Sequence, residues 1–253
     1  MKEYTHYQEF GKGQTLLLLP SNWLTTKSYK TFAEKLSNNF RVIIPELFRG
    51  KSRYKKNAFS IDDYTEKLHF LVNDLKIKKF YLLGISFSGL IAIDYLHKYP
   101  LDLKKVMLVS IIAPPLFPKE RKLTLLTGFV NYAKLFLHNF TSWKGTRINF
   151  LWLSDGLFNC LIKHPKQFFL DAIIATKTFN KTPLKVSVPT KILLATKDEF
   201  VPYDNVNKTI AIDGLEIEAI NGYHAWFFLN ENLLVKKVIE YFTSEYNDLN
   251  QRK

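Results

Sequence analysis

Short, wholly apolar runs recur along this chain, separated by segments whose apolar residues keep helical spacing. Leu16-Leu17-Leu18-Leu19, Val42-Ile43-Ile44, Phe80-Tyr81-Leu82-Leu83, Val106-Met107-Leu108-Val109 and Ile192-Leu193-Leu194-Ala195 are such runs, and Leu215–Ile220 is a further strand segment. A run with no polar face must be covered on both sides if it is a strand. The intervening segments supply the cover. Phe32 and Leu36 share a helical face within 28–38. Ser60 with Asp63 reads as a capping box before Tyr64, Leu68, Leu71, Val72 and Leu75. Further helices are expected over 90–99 and 231–242, and the polar tail 244–253 is expected to fray. Strands alternating with helices predict an α/β fold: a mostly parallel sheet with helices on both faces. The 253 residues suffice for a full core, with roughly 70–75% of the unfolded surface buried.

Residues 116–183 interrupt the alternation. They hold twelve aromatic residues in 68 and have a helical texture. A block this long is not a structureless loop. It is expected to form a helical cap, or lid, inserted into a core made of residues 1–115 and 184–253.

The sharpest chemical signal is Leu83-Gly84-Ile85-Ser86-Phe87-Ser88-Gly89-Leu90. It places a serine on a strand-to-helix turn between small residues. Such an elbow lifts a hydroxyl above the sheet, and the following helix aims its first N–H groups at developing negative charge. At this point the chain resembles the α/β-hydrolases, whose nucleophile elbow is Gly-x-Ser-x-Gly. Ser88 stands where the second glycine is usual, and Gly89 follows. The resemblance extends further along the chain. Thr196-Lys197-Asp198-Glu199-Phe200-Val201-Pro202 resembles the family's acid segment, and Asn221-Gly222-Tyr223-His224 its histidine loop. The family order Ser, Asp, His implies Ser86 as nucleophile, Asp198 as orienting acid and His224 as base, with Glu199 as the rival to Asp198. Ser88 is a weaker rival to Ser86, because it falls in the first helical turn.

The same resemblance implies an oxyanion hole built from two backbone N–H groups. One comes from Phe87, after the nucleophile. The other comes from the loop after Leu19, where relatives have His-Gly and this chain has Pro20-Ser21-Asn22-Trp23. Asn22 is the candidate, with Ser21 next, and Trp23 is the candidate substrate contact. Glu46-Leu47-Phe48-Arg49-Gly50-Lys51-Ser52 resembles a family turn with Glu in place of Asp. Its Gly-Lys-Ser end matches a phosphate-binding loop, but Pro45 stands where the first glycine belongs. No metal-ligand pattern and no dinucleotide fingerprint is present, so neither a metal nor a cofactor is expected.

The implied activity is a serine esterase or thioesterase working through an acyl-enzyme. A binding protein that turns nothing over, and a carbon–carbon hydrolase or lyase with the same triad, are the alternatives. Cap aromatics, including Phe129, Tyr132, Phe136, Phe140, Trp143, Phe150 and Trp152, either line an acyl pocket or pack the cap helices together. The net charge is +13, of which the 68 cap residues carry +7. Lys119, Arg121, Lys122, Lys134, Lys144 and Arg147 either greet an acidic partner or form a generic basic surface. The carrier-protein methyl esterases of biotin synthesis resemble this design, a basic cap over an acyl channel, which implies an acyl carrier protein as partner. No nucleic-acid motif is recognised, and no apolar run approaches the ~20 residues of a membrane span. The single cysteine, Cys160, is expected to be a buried, inert thiol. That residue and an N-terminus without a signal pattern predict a cytoplasmic protein.

Overall fold

The computed structural model describes residues 4–48, 51–111, 124–179, 186–201, 203 and 214–244. Seven strands form one sheet: β1 (Tyr7–Phe10), β2 (Thr15–Leu19), β3 (Arg41–Pro45), β4 (Phe80–Ile85), β5 (Leu103–Val109), β6 (Thr190–Ala195) and β7 (Leu215–Ile220). Their order is β1-β3-β2-β4-β5-β6-β7, with β1 antiparallel to β3 and every other pair parallel. The apolar runs thus became parallel strands. The edge strand β1 had no such run to announce it, because Tyr7-Gln8-Glu9-Phe10 is half polar and only partly buried.

Helices α1 (Lys30–Leu36) and α7 (Glu231–Thr243) cover one face, and α2 (Ile61–Asp74) and α3 (Ser88–Lys98) the other. The two-residue period of a strand sorts its side chains between the faces. Leu16 and Leu18 join Phe32, Leu36, Val238 and Phe242, whereas Leu17 and Leu19 join Leu68, Val72, Ile91 and Leu96. All four leucines are fully buried, which explains why the run carries no polar residue. The capping box of α2 is present in full: the Ser60 hydroxyl accepts from the Asp63 N–H, and the Asp63 carboxylate accepts from the Ser60 N–H.

Between β5 and β6 lie α4 (Leu125–Asn139), α5 (Trp143–Trp152), a π-helical segment (Leu153–Ile162) and α6 (Pro165–Phe179). Buried polar contacts fasten them to the rest. Asp155 accepts from the Thr25 N–H, the Thr25 hydroxyl and the Ser28 hydroxyl. Gln167 exchanges hydrogen bonds with the backbone of Ala58, and the Tyr64 hydroxyl donates to Asp171 at 2.5 Å. The expected cap boundaries at 115/116 and 183/184 fall outside the described residues, as do Lys119, Arg121 and Lys122. No helix among the described residues is long and apolar enough to cross a membrane.

Candidate active site

Parallel strands end on the same edge of a sheet, so residues that follow β4, β6 and β7 are gathered there. Ser86 follows β4, Asp198 follows β6 and His224 follows β7. The Ser86 hydroxyl lies 2.9 Å from His224 Nε2, and His224 Nδ1 lies 2.8 Å from Asp198 Oδ2. All three are buried.

Ser86 holds φ at +55°, a left-handed conformation that costs a side-chain-bearing residue roughly 1–2 kcal/mol. Its surroundings hold it there. Its N–H donates to Val109 O, and its carbonyl accepts from the Gly89 N–H. The two glycines are steric necessities. A Cβ on Gly89 would lie 2.2 Å from Ile111 Cγ2, and one on Gly84 would lie 2.8 Å from Ala92 Cβ. Ser88 has its own role: its hydroxyl donates to the Pro20 carbonyl and ties the elbow to the loop after β2. That contact uses the side chain that stands where the family's elbow has glycine.

Asp198 is fixed by its second oxygen, which accepts from the N–H groups of Phe200 and Val201. With Oδ2 turned to the imidazole, it is the carboxylate that meets the ring. Glu199 takes a different post: it accepts from the His224 backbone N–H at 2.8 Å and lies 2.7 Å from Nδ1 of His138 on α4. His138 in turn stacks on Tyr223. Burial pushes the His224 pKa down, but the charge and hydrogen bond of Asp198, with the charge of Glu199, outweigh it and leave the imidazole above its ordinary value.

In the loop after β2, the Ser21 N–H donates to the Tyr29 hydroxyl at 2.9 Å, and that hydroxyl donates to Ser21 Oγ. Ser21 is therefore committed elsewhere. The backbone N–H groups of Asn22 and Phe87 meet no acceptor among the described residues, and both residues line the same cavity as Ser86 and His224. Trp23 also lines it, at φ +63°, with its ring stacked on Phe168 at 4.0 Å and on Tyr132 at 5.7 Å.

The cavity measures about 660 Å³. Its walls are mainly apolar and come from both the sheet edge and the helices between β5 and β6. Of the aromatics singled out in the sequence, Phe129, Tyr132, Phe136 and Trp152 line it. Phe140, Trp143 and Phe150 do not; they are exposed. Burial pushes the Tyr132 hydroxyl up to about 12, so it stays neutral at the cavity wall. Cys160 is buried, its thiol is pushed up by burial, and its Sγ–H reaches the carbonyls of Trp23 and Phe48. Lys51 and Ser52 of the phosphate-loop look-alike instead fasten Glu46: its carboxylate accepts from the Lys51 N–H at 2.5 Å and its carbonyl from the Ser52 hydroxyl. Among the described residues, no group of three or more His, Cys, Asp or Glu side chains is placed to hold a metal ion.

Sequence reasoning missed three supports of this site, Ser110, His138 and Asp171, and had a fourth, Glu199, only as the rival to Asp198. Ser110, at φ +47°, donates to the His224 carbonyl and accepts from the Trp226 indole. Glu199 and His138 brace the histidine loop, and Asp171 lies beneath the cavity wall. No local pattern marks their roles, because the contacts that define them reach across 25 to 116 positions.

A family model described as the alpha/beta hydrolase fold matches residues 14–231. Solved structures resemble the chain over nearly its whole length. A bromoperoxidase from Bacillus anthracis is 23% identical, with a TM-score of 0.72 and 95% of each chain covered. A thermophilic esterase from Thermogutta terrifontis is 20% identical, with a TM-score of 0.72 and 94% of this chain and 92% of that one covered. A meta-cleavage product hydrolase from Pseudomonas fluorescens is 17% identical, with a TM-score of 0.66 and 94% and 93% covered. A comparison with curated protein sequences gave no match. At these identities the structural likeness speaks to fold alone, and it agrees with the family match: the chain belongs to the α/β-hydrolase fold family.

Proposed function

We propose that the protein is a serine hydrolase that cleaves carboxylic esters or thioesters of apolar acyl groups through an acyl-enzyme. The observation that carries this reading is the Ser86–His224–Asp198 hydrogen-bond chain at the wall of an apolar cavity of about 660 Å³. In the reaction, His224 takes the Ser86 proton as the serine oxygen attacks the carbonyl carbon. Asp198 holds the neutral tautomer with Nε2 free to accept, then stabilises the imidazolium. The N–H groups of Phe87 and Asn22 receive the oxyanion, each donor contributing roughly 10²–10³ in rate. His224 returns the proton to the leaving group, and water, activated by the same imidazole, releases the acid. The helices between β5 and β6 act as a cap that selects the acyl group.

Esterases stand among the structural neighbours, beside a meta-cleavage product hydrolase. A carbon–carbon hydrolase uses the same three groups. Among the described residues that line the cavity there is no lysine or arginine, and its wall is mainly apolar.

Turnover of a p-nitrophenyl ester series by the wild type and by Ser86→Ala tests the proposal. The expected result is hydrolysis that is lost in the variant and peaks at an acyl length the cavity can hold. Equal rates for the two proteins would refute it, and ligand binding without turnover would favour a binding protein.

A further inference from the structure

Twelve of the sixteen exposed large apolar side chains among the described residues lie between Leu125 and Phe169. Trp143 is 85% exposed, and Leu126 and Phe129 are each 73% exposed. Over 124–179 the chain also carries six bases, Lys134, Lys144, Arg147, Lys163, Lys166 and Lys177, and all six are exposed. None of them forms an ion pair among the described residues. The only acids of this stretch, Asp155 and Asp171, are buried and hydrogen-bonded inside. The outer surface of these helices therefore combines apolar groups and cations with no exposed carboxylate.

The two kinds of side chain are interleaved. Val130 and Lys134 share a face of α4, Trp143 and Arg147 a face of α5, and Lys166 and Phe169 a face of α6. The surface also runs into the cavity. Leu125, Phe129, Leu153 and Phe169 are exposed and line the cavity at once. The exposed apolar surface is thus continuous with the cavity wall.

We propose that this rim docks on an anionic lipid surface, with the cavity mouth turned toward the bilayer. Aromatic and aliphatic side chains enter the headgroup region while the bases meet lipid phosphates. A second copy of the chain fits poorly, because a two-fold contact would set the same six bases against one another. An acidic protein matches the bases but not the exposed apolar groups between them. A bilayer surface matches both, and it stores apolar acyl groups next to the mouth.

The test is sedimentation of the full chain with vesicles of phosphatidylcholine alone and of an equal mixture of phosphatidylcholine and phosphatidylglycerol. Leu126 and Lys134 do not line the cavity, so Leu126→Asp and Lys134→Glu probe docking without touching the proposed catalytic groups. The expected result is binding to the mixed vesicles that weakens with salt and falls on the order of tenfold or more in each variant. Unchanged circular dichroism in the variants separates lost docking from lost fold. Docking does not depend on turnover, so Ser86→Ala binds as the wild type does, whatever its activity. Failure of the wild type to bind mixed vesicles would overturn the proposal. So would undiminished binding by Leu126→Asp, equal binding to neutral vesicles, or a dimer that Leu126→Asp dissociates. Binding of an acyl carrier protein with no vesicle binding would assign the face to an acidic partner instead.

Discussion

At the residue scale the account rests on a histidine held between a carboxylate and a hydroxyl. Asp198 raises the His224 pKa above the ordinary histidine value near 6.5. The base works only when neutral, so activity should fall with pH from above that value, and the acidic limb of kcat/KM should lie there. Asp198→Asn removes the charge and the tautomer control. It should lower kcat on the order of 10⁴-fold and move the limb down; a pH–rate profile of both proteins checks this. Asp171 makes a second prediction. Burial pushes its carboxyl up from 3.8 to about 6, against hydrogen bonds from Tyr64 and Gln167 that pull it down. An acid that holds its proton more tightly when folded favours the folded state below its unfolded pKa. That contribution disappears as pH rises through about 6. Relative to Asp171→Asn, the wild type should lose on the order of 3 kcal/mol between pH 4 and 7, measured by urea unfolding. A parallel pH course for the two proteins would contradict it.

At the scale of elements, local sequence marked what short-range physics determines. The fully buried strands were legible because burial on both faces excludes polar residues. The start of α2 was legible because a capping box is written within four residues. That Ser86, Asp198 and His224 would meet was legible through family resemblance, each following its own strand. What remained hidden depends on partners distant in sequence. Nothing near Glu199 shows that it bonds the His224 backbone rather than the ring. Nothing near Asp155 shows that it accepts from Thr25 and Ser28, more than a hundred residues earlier. Trp143 and Phe150 were open in the sequence between lining a pocket and packing the cap helices, and their helix turns them outward instead. Two tests belong here. Gly89→Ala puts a methyl group against Ile111 and should destabilise the protein by about 1–3 kcal/mol in unfolding measurements. Glu199→Ala leaves the buried His224 N–H without its acceptor. It should cost about 1–3 kcal/mol of stability and lower kcat more than it raises KM, because it loosens the base rather than the cavity.

Across the whole molecule, the sheet edge presents Ser86, Asp198 and His224, and the helices between β5 and β6 close an apolar space over them. Acyl length should therefore act through burial. Each added methylene that reaches the cavity wall contributes about 0.8 kcal/mol, so kcat/KM should rise about fourfold per methylene until the space is filled. Gly128 lines the cavity, and a Cβ there meets nothing within 4 Å. Gly128→Leu should therefore shorten the preferred acyl chain while sparing short esters. The central claim, that Ser86 is the nucleophile of an assembled site, is tested most directly by a fluorophosphonate followed by mass spectrometry of the labelled peptides. The account predicts one adduct per chain, on Ser86, and none in Ser86→Ala. An unlabelled wild type, or an adduct on Ser88 that persists in Ser86→Ala, would contradict it.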